Sequence, residues 1–550
     1  MALNKKIVEL CTASNLLISP DTLQFIKSKE KPFEFIQKTL DEIAKFEIKP
    51  LVLTLDILTK TLQQKSIMRD SLFSPALEDA SSKTLPQESP KPLIPTSPKV
   101  EIKKTASSSV STDLPEYAAA DSIKDDITII KDPTGLMSGE GKLEDFKDYF
   151  HSRFNKLRKL LLKRPDCKAA NSITQAKALK ASEEPIKIIG MVLEKKELSG
   201  KAGSDLRDDA VNSISVEIDD LESTLSVIFS GKKEDLIKKA KRIKLDEVIC
   251  IEGFISDKKV LIASDFVWPD IPYPPEIKHD IPPISAVFLS DIHFGSKYFA
   301  AAQFEAFLEF LQGKRGNEEQ RAVAKSIKYI IIAGDLIDGI GVYPNQEKNL
   351  AISTTIEQYE FAAQYLKRIP TYIKIIIIPG GPHDAVRKAY PQPALTKKYA
   401  NALYELKNVI LLGNPAQFKL HGVNILVYHG DSMDDLIQAL PGSSYQQPAE
   451  LMKELIISRH LSPIYGASTW TAPEKEDWMV IEDIPEILHC GHVHVLDCKK
   501  YRGVMLLNSG TFQEETDFQR SMGIKPTPGK FTVVNLRTLK TKFFDFKNEA

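Results

Sequence analysis

The chain has 550 residues, with 42% hydrophobic and 27% charged side chains, too long for one ordinary core and suited to a soluble protein of two to four domains. Its 73 Lys and Arg nearly cancel its 74 Asp and Glu, so bulk charge argues neither for nor against a nucleic-acid partner. The five cysteines (Cys11, Cys167, Cys250, Cys490, Cys498) form no CxxC pair, which excludes a zinc ribbon or disulfide framework and points to a reducing, cytoplasmic setting. With no run of 18 apolar residues and no signal-type leader, neither export nor a membrane partner is expected.

Residues 1–68 place Ile7, Leu10, Leu16, Leu17, Phe33, Phe35, Ile36, Leu40 and Ile43 at helical spacing, which predicts a small helical N-terminal domain. Over 69–125 the composition turns to Ser, Pro, Lys and Thr, too poor in apolar surface to offset the entropy of ordering, and a disordered linker is expected. A helical connector follows over 126–182, built on LEDFKDYFHSRFNKLRKLLLKR. Its Phe146, Phe150, Phe154, Leu157 and Leu161 line one side, with a basic face opposite that is read as solvated in preference to DNA-bound.

Five short β-type runs over 183–275, with a helical insert near 232–243, predict an OB-like barrel. Stacking aromatics are sparse there, so a structural barrel is favoured over a single-strand binder. From 284 to 550 the apolar runs ISAVFLS, IKYIIIA, YIKIIIIP, NVILL, NILVY, EILHC, VMLLN and FTVVNL alternate with helical segments, predicting α/β layered sheets flanked by helices.

Polar clusters stand directly after these runs, where α/β folds place their chemistry. They are Asp291-Ile-His293, Gly334-Asp335, Pro379-Gly-Gly-Pro-His383-Asp384, His429-Gly430-Asp431 and Gly491-His492-Val-His494, and they hold five of the ten histidines. A lone DxH or HxH is more often a satisfied core pair than a metal site. An ordered series of imidazoles and carboxylates at successive strand ends is a ligand set suited to Mn²⁺, Fe or Zn²⁺.

This series resembles that of the calcineurin-like metallophosphoesterases. The resemblance implies a domain over 284–550 with two divalent metal ions, Mn first, with Mg, Fe or Zn as alternatives. Asp291, His293 and His494 would bind one ion, His429 and His492 the other, and Asp335 would bridge them. His383 would stabilise the transition state or donate a proton, oriented by Asp384.

The segments GDLIDGIGVYPNQ, PGGPHDAVRKAYPQPAL, LLGNPAQFKLHGVNILVYHGDSMDD and SGTFQEETDFQRSMGIKPTPGKFTVVNL are similar to those of the small subunits of archaeal family D DNA polymerases. That resemblance spans almost the whole chain. It implies a 3′ to 5′ proofreading exonuclease that works on DNA beside a large catalytic polymerase subunit. The alternatives are a structural subunit with a weakened site and a stand-alone phosphodiesterase.

One departure bears on the site. The family's loop reads Gly-Asn-His-Asp with Asn on the second metal, whereas this chain reads Gly380-Gly381-Pro382-His383-Asp384 with no Asn, so weak binding of the second metal is expected; Asn414, in Gly-Asn-Pro, is a substitute in principle, but a turn role explains it better. The Phe543-Phe544 pair near the C-terminus is similar to sliding-clamp peptides but lacks their upstream Gln, and reads as an edge strand with its aromatics packed inward.

Overall fold

The computed structural model describes residues 119–546 apart from 181–183, 199–212, 274–279 and 385–386, together with a few short pieces before residue 119. In those pieces β1 (Leu17–Ile18) pairs in parallel with β2 (Val52–Leu53), and Ile26, Ile36 and Leu40 are buried. Most of the expected helical head, and residues 69–118 of the expected linker, lie outside the described residues.

Residues 119–131 differ from the sequence reading. Ala120 is fully buried among core residues, and Asp125 pairs with Lys328 at 2.9 Å and Lys374 at 3.4 Å, so this end of the expected linker is held by the fold. The expected helical connector opens with a strand, β3 (Ile127–Lys131), which is antiparallel to a strand of the C-terminal domain. The helix Leu143–Leu162 follows as expected, burying Tyr149, Phe154, Leu157 and Leu161. Arg153 does not join the solvated face: its Nε meets Asp477 Oδ2 at 2.7 Å with both side chains fully buried.

The barrel strands are β4 (Ile186–Leu198), β5 (Ser213–Asp219), β6 (Thr224–Phe229), β7 (Val248–Ile255) and β8 (Leu261–Val267), with the helix Glu234–Ala240 between β6 and β7. They close in the order β4-β5-β6-β8-β7, and β5 alternates half-buried with buried residues as a barrel wall requires.

Two six-stranded sheets make up the remainder. The first contains β9 (Ser285–Leu289), β10 (Ile327–Ala333), β11 (Lys374–Ile378), β12 (Val409–Leu411), β18 (Lys530–Asn535) and β19 (Lys540–Asp545), ordered β12-β11-β10-β9-β18-β19. The second contains β13 (Ala416–Leu420), β14 (Val423–Val427), β15 (Ile487–Cys490), β16 (Asp497–Tyr501) and β17 (Val504–Asn508), with β3 at its edge: β16-β17-β15-β14-β13-β3.

Side chains of β9–β11 alternate between two cores. Ala286, Phe288, Ile331 and Ile376 face Phe418, Ile425, Ile487 and Leu507 of the second sheet. Val287, Leu289, Ile330 and Ile375 face the helices Ala301–Leu311 and Thr355–Leu366 through Phe304, Phe307 and Tyr359. Burial on both faces is why these strands read as unbroken apolar runs. On the edge strand β19, Phe544 stacks on Phe531 at 5.1 Å while Phe543 is 54% exposed, so only one of the two aromatics packs inward. Among the described residues no helix is long and apolar enough to cross a membrane.

Candidate metal centre

The strand ends of both sheets converge. Asp291 and His293 follow β9, Asp335 follows β10, and His383 and Asp384 lie in the short helix Gly381–Asp384 after β11. From the second sheet come His429 after β14 and His492 and His494 after β15. The chain turns sharply at each end: Asp291, His293, Asp335, His492 and His494 have φ of 53°, 54°, 51°, 70° and 59°. Left-handed backbone at non-glycine residues costs about 1–3 kcal/mol each and persists only where neighbours enforce it. Here Asp291 N donates to Gly334 O at 3.0 Å, His293 N to Asp335 O at 3.0 Å, and Gly491 N to His429 O at 2.7 Å. A Cβ on Gly380 would lie 2.3 Å from Asp335 N, so only glycine allows that loop so near the strand end.

The side chains gather into two poles. At one, His494 Nε2 lies 3.2 Å from Asp291 Oδ1 and 3.1 Å from His293 Nε2. At the other are His429 and His492. Asp335 stands between them, its Oδ2 3.7 Å from His293 Nε2 and 3.4 Å from His429 Nε2, with His383 Nε2 at 3.8 Å. The groups Asp291–His293–His494 and Asp291–Asp335–His429 each bring their ligand atoms within 4.8 Å of one another.

The donor chemistry fits cations. Asp335 Oδ1 and His429 Nε2 are buried without a hydrogen-bond partner, an arrangement that is costly unless something electropositive sits between them. His429 Nδ1 donates to Ala333 O at 2.7 Å, which leaves the Nε2 lone pair aimed inward. Burial lowers the pKa of His429, and lowers that of His293 to about 4 against the pull of Asp338. Both imidazoles are therefore neutral at pH 7, as metal ligands must be.

Burial would raise Asp291, yet His494, His429 and His293 outweigh it and hold the carboxylate far below its usual range. Asp335 is pushed well above that range by burial, opposed by His383 and reinforced by Asp291 and Asp431. Crowded carboxylates of this kind are relieved by bound cations.

Several partners escaped the sequence reading. Asp338 Oδ1 stands 3.1 Å from His293 Nδ1, and the Asp338 carbonyl accepts from His383 Nδ1 at 2.6 Å. Asp434 Oδ2 holds His492 Nε2 at 3.0 Å, and Gln519 Nε2 reaches His494 Nδ1 at 2.7 Å. Burial pulls the pKa of His492 down, but Asp434 and Asp431 overcome it and raise the imidazole to about 10, so a cation bound there must displace a proton. The acidic repeats GDLID and HGDSMDD were the visible signal for Asp338 and Asp434.

Two expected roles change. Asp384 does not orient His383: its carboxylate accepts from Gly380 N at 2.6 Å and Leu336 N at 2.7 Å, clamping two strand ends, and burial with Asp335 pushes it up to about 8. Asn414 is used in structure: its Nδ2 donates to Pro379 O at 2.8 Å and Gln392 Oε1 at 3.1 Å, and its Oδ1, the atom that would ligate, accepts from His429 N at 3.4 Å.

The centre opens into a cavity of about 420 Å³ whose wall includes Tyr343, Tyr390, Tyr445, Trp470 and Phe518. Trp470 is 64% and Phe518 56% exposed, and Tyr343 lies parallel to Phe518 with ring centroids 6.2 Å apart.

Residues 286–497 match the family model for the B subunits of DNA polymerases alpha and epsilon. The DNA polymerase II small subunit of Archaeoglobus fulgidus is 42% identical over 409 residues, covering 74% of this chain and 78% of that one. The DNA polymerase II small subunit of Methanothermobacter thermautotrophicus is 40% identical over 415 residues, covering 76% and 82%. Among solved structures, an archaeal phosphodiesterase is 11% identical, covering 48% of this chain and 99% of its own with a TM-score of 0.25, too slight a likeness to build on. Identity of this level over three quarters of the length places the chain in a family: it belongs to the archaeal DNA polymerase II small subunits, the family D small-subunit family.

Proposed function

We propose that this subunit is a metal-dependent 3′ to 5′ exodeoxyribonuclease that proofreads for the large catalytic subunit of a family D polymerase. The observation that carries the reading is Asp335, a buried carboxylate set between two histidine-lined poles, 3.7 Å from one and 3.4 Å from the other. Asp291, His293 and His494 would hold one divalent cation, His429 and His492 a second, and Asp335 both; Mn²⁺ suits this mixed imidazole and carboxylate set, with Mg²⁺, Fe and Zn²⁺ as alternatives. A bound pair of cations supplies an activated water and charge neutralisation for phosphodiester hydrolysis.

The chain's own residues supply orientation. Asp434 holds His492 by its outer nitrogen, Asp338 stands 3.1 Å from His293 Nδ1, and the Gln519 amide N–H donates to His494 Nδ1. His383, with Nδ1 on a backbone carbonyl, presents Nε2 to the centre, where it can stabilise or protonate a leaving oxygen. Trp470, and Phe518 with Tyr343, offer π-faces at the rim on which unpaired terminal bases can stack, which favours a frayed 3′ end over paired duplex.

The test is hydrolysis of 5′-labelled single-stranded DNA by the purified chain, alone and with its large subunit, in Mn²⁺ or EDTA. Stepwise 3′ shortening in Mn²⁺ alone is expected. A folded, metal-loaded complex that leaves the DNA intact would support the structural-subunit reading instead.

A further inference from the structure

The pole formed by His429, His492 and Asp335 is short of donors, because the loop after β11 brings Gly380, Gly381 and Pro382 past it and none has a side-chain donor. Divalent cations of this class take four to six ligands. We infer that Asp431 is a metal ligand at this pole and fills the position that the loop leaves vacant.

Its placement supports this in three ways. Asp431, His429 and His492 each bring a ligand atom within 4.8 Å of the others, and Asp431 Oδ1 is 3.7 Å from His492 Nδ1. Since Asp434 occupies His492 Nε2, it is Nδ1, on the Asp431 side, that remains for a cation. Second, the Tyr390 hydroxyl donates to Asp431 Oδ2, which orients the carboxylate and leaves Oδ1 for the pole. Third, the loop is shaped around Asp431: Gly381 has φ of 37°, and a Cβ there would lie 2.7 Å from Asp431 Oδ1. A side chain at Gly381 and the Asp431 carboxylate compete for one space. Beside them, the buried His429 Nε2 accepts and donates no hydrogen bond.

A carboxylate ligand brings a negative charge that a neutral amide would not, so this pole should hold its cation firmly despite the altered loop. That reverses the expectation, drawn from the loop alone, of a weak second metal.

The inference rests on the two-cation reading of the centre, and its test reads metal binding separately from hydrolysis. Mn²⁺ is titrated into the metal-free full-length chain by calorimetry, with electron paramagnetic resonance to detect a coupled pair. The unaltered chain should bind two ions with a coupled signal. Asp431→Ala should weaken one step at least tenfold, leave the other unchanged and abolish coupling, while the isosteric Asp431→Asn, which keeps an oxygen donor, should weaken that step less. Two unweakened ions in either a folded Asp431→Ala chain or, if that variant does not fold, in Asp431→Asn overturn the inference, as does a single ion in the unaltered chain. Two ions lost stepwise as expected but without DNA hydrolysis would sink the nuclease reading and leave Asp431's role intact.

Discussion

Replacing Asp335 by Asn should separate the cost of building the metal centre from the benefit of filling it. Asn is chosen over Ala because Asp335 has φ of 51°, where Asn is among the few non-glycine residues at ease, and Ala would add strain of about 1 kcal/mol. The residue is 3% exposed, Oδ1 has no hydrogen-bond partner, and the hydrogen bonds at this position from Ile292 N and His293 N go to the backbone carbonyl, which the substitution keeps. In EDTA the variant therefore loses only a crowded buried carboxylate and should be at least as stable as the unaltered chain. Two independent sites at 100 times their Kd each add about 2.7 kcal/mol, roughly 5 kcal/mol together. If Asp335 serves both cations as proposed, Asp335→Asn should forfeit most of that gain and all hydrolysis. Urea unfolding in EDTA and in Mn²⁺ gives the four stabilities needed. A variant that is several kcal/mol less stable in EDTA, or that keeps the full Mn²⁺ increment, would refute the bridging role.

Burial holds His460 at a pKa of about 4, helped by Arg153 and opposed by Asp477, and holds His489 at about 3. An unfolded His titrates near 6.5, so the unfolded chain gains protons first and stability falls as pH drops below that value, by about 2 kcal/mol per His at pH 5; denaturant midpoints of the metal-free chain at pH 7 and 5 check this. Trp470→Ala should raise KM for single-stranded DNA about tenfold with kcat little changed, since a stacking face is worth about 1–3 kcal/mol per base; an unchanged KM in steady-state assays would remove Trp470 from the substrate path. A chain beginning at residue 119 should fold like the parent, whereas one beginning at 140 loses β3, uncovers β13 and should unfold at lower urea and be cleaved faster by protease.

The strand-end clusters were legible because β9, β10 and β11 are buried on both faces, so each wrote an unbroken apolar run and the polar residue after it marked where the sheet stopped. β3 was not legible for the opposite reason. As an edge strand it leaves Ile129 and Ile130 50% and 39% exposed, and its ITIIK sits between charged residues and shortly before a long helix. Arg153 was hidden in a helix most of whose basic residues face solvent; only its partner Asp477, 324 positions away, reveals it as buried. The same holds for Asp431, Asp434 and Gln519, whose work depends on which imidazole nitrogen they meet and not on any spacing along the chain.

Each pole draws on both sheets. Asp291 and His293 from the first sheet meet His494 from the second, and His429 from the second meets Asp335 from the first. Neither sheet alone holds a complete ligand set, so the centre exists only once the core between Phe288, Ile331, Ile425 and Leu507 has formed. The seam is close because it is lined by glycine: a Cβ on Gly491 would lie 2.4 Å from the Ser290 side chain, and one on Gly334 2.7 Å from His429 Nδ1. Packed cores shift between discrete arrangements and do not deform smoothly, so a displacement of one sheet against the other would change both poles together. A push on the outer edge of either sheet would therefore reach both poles together, through the core.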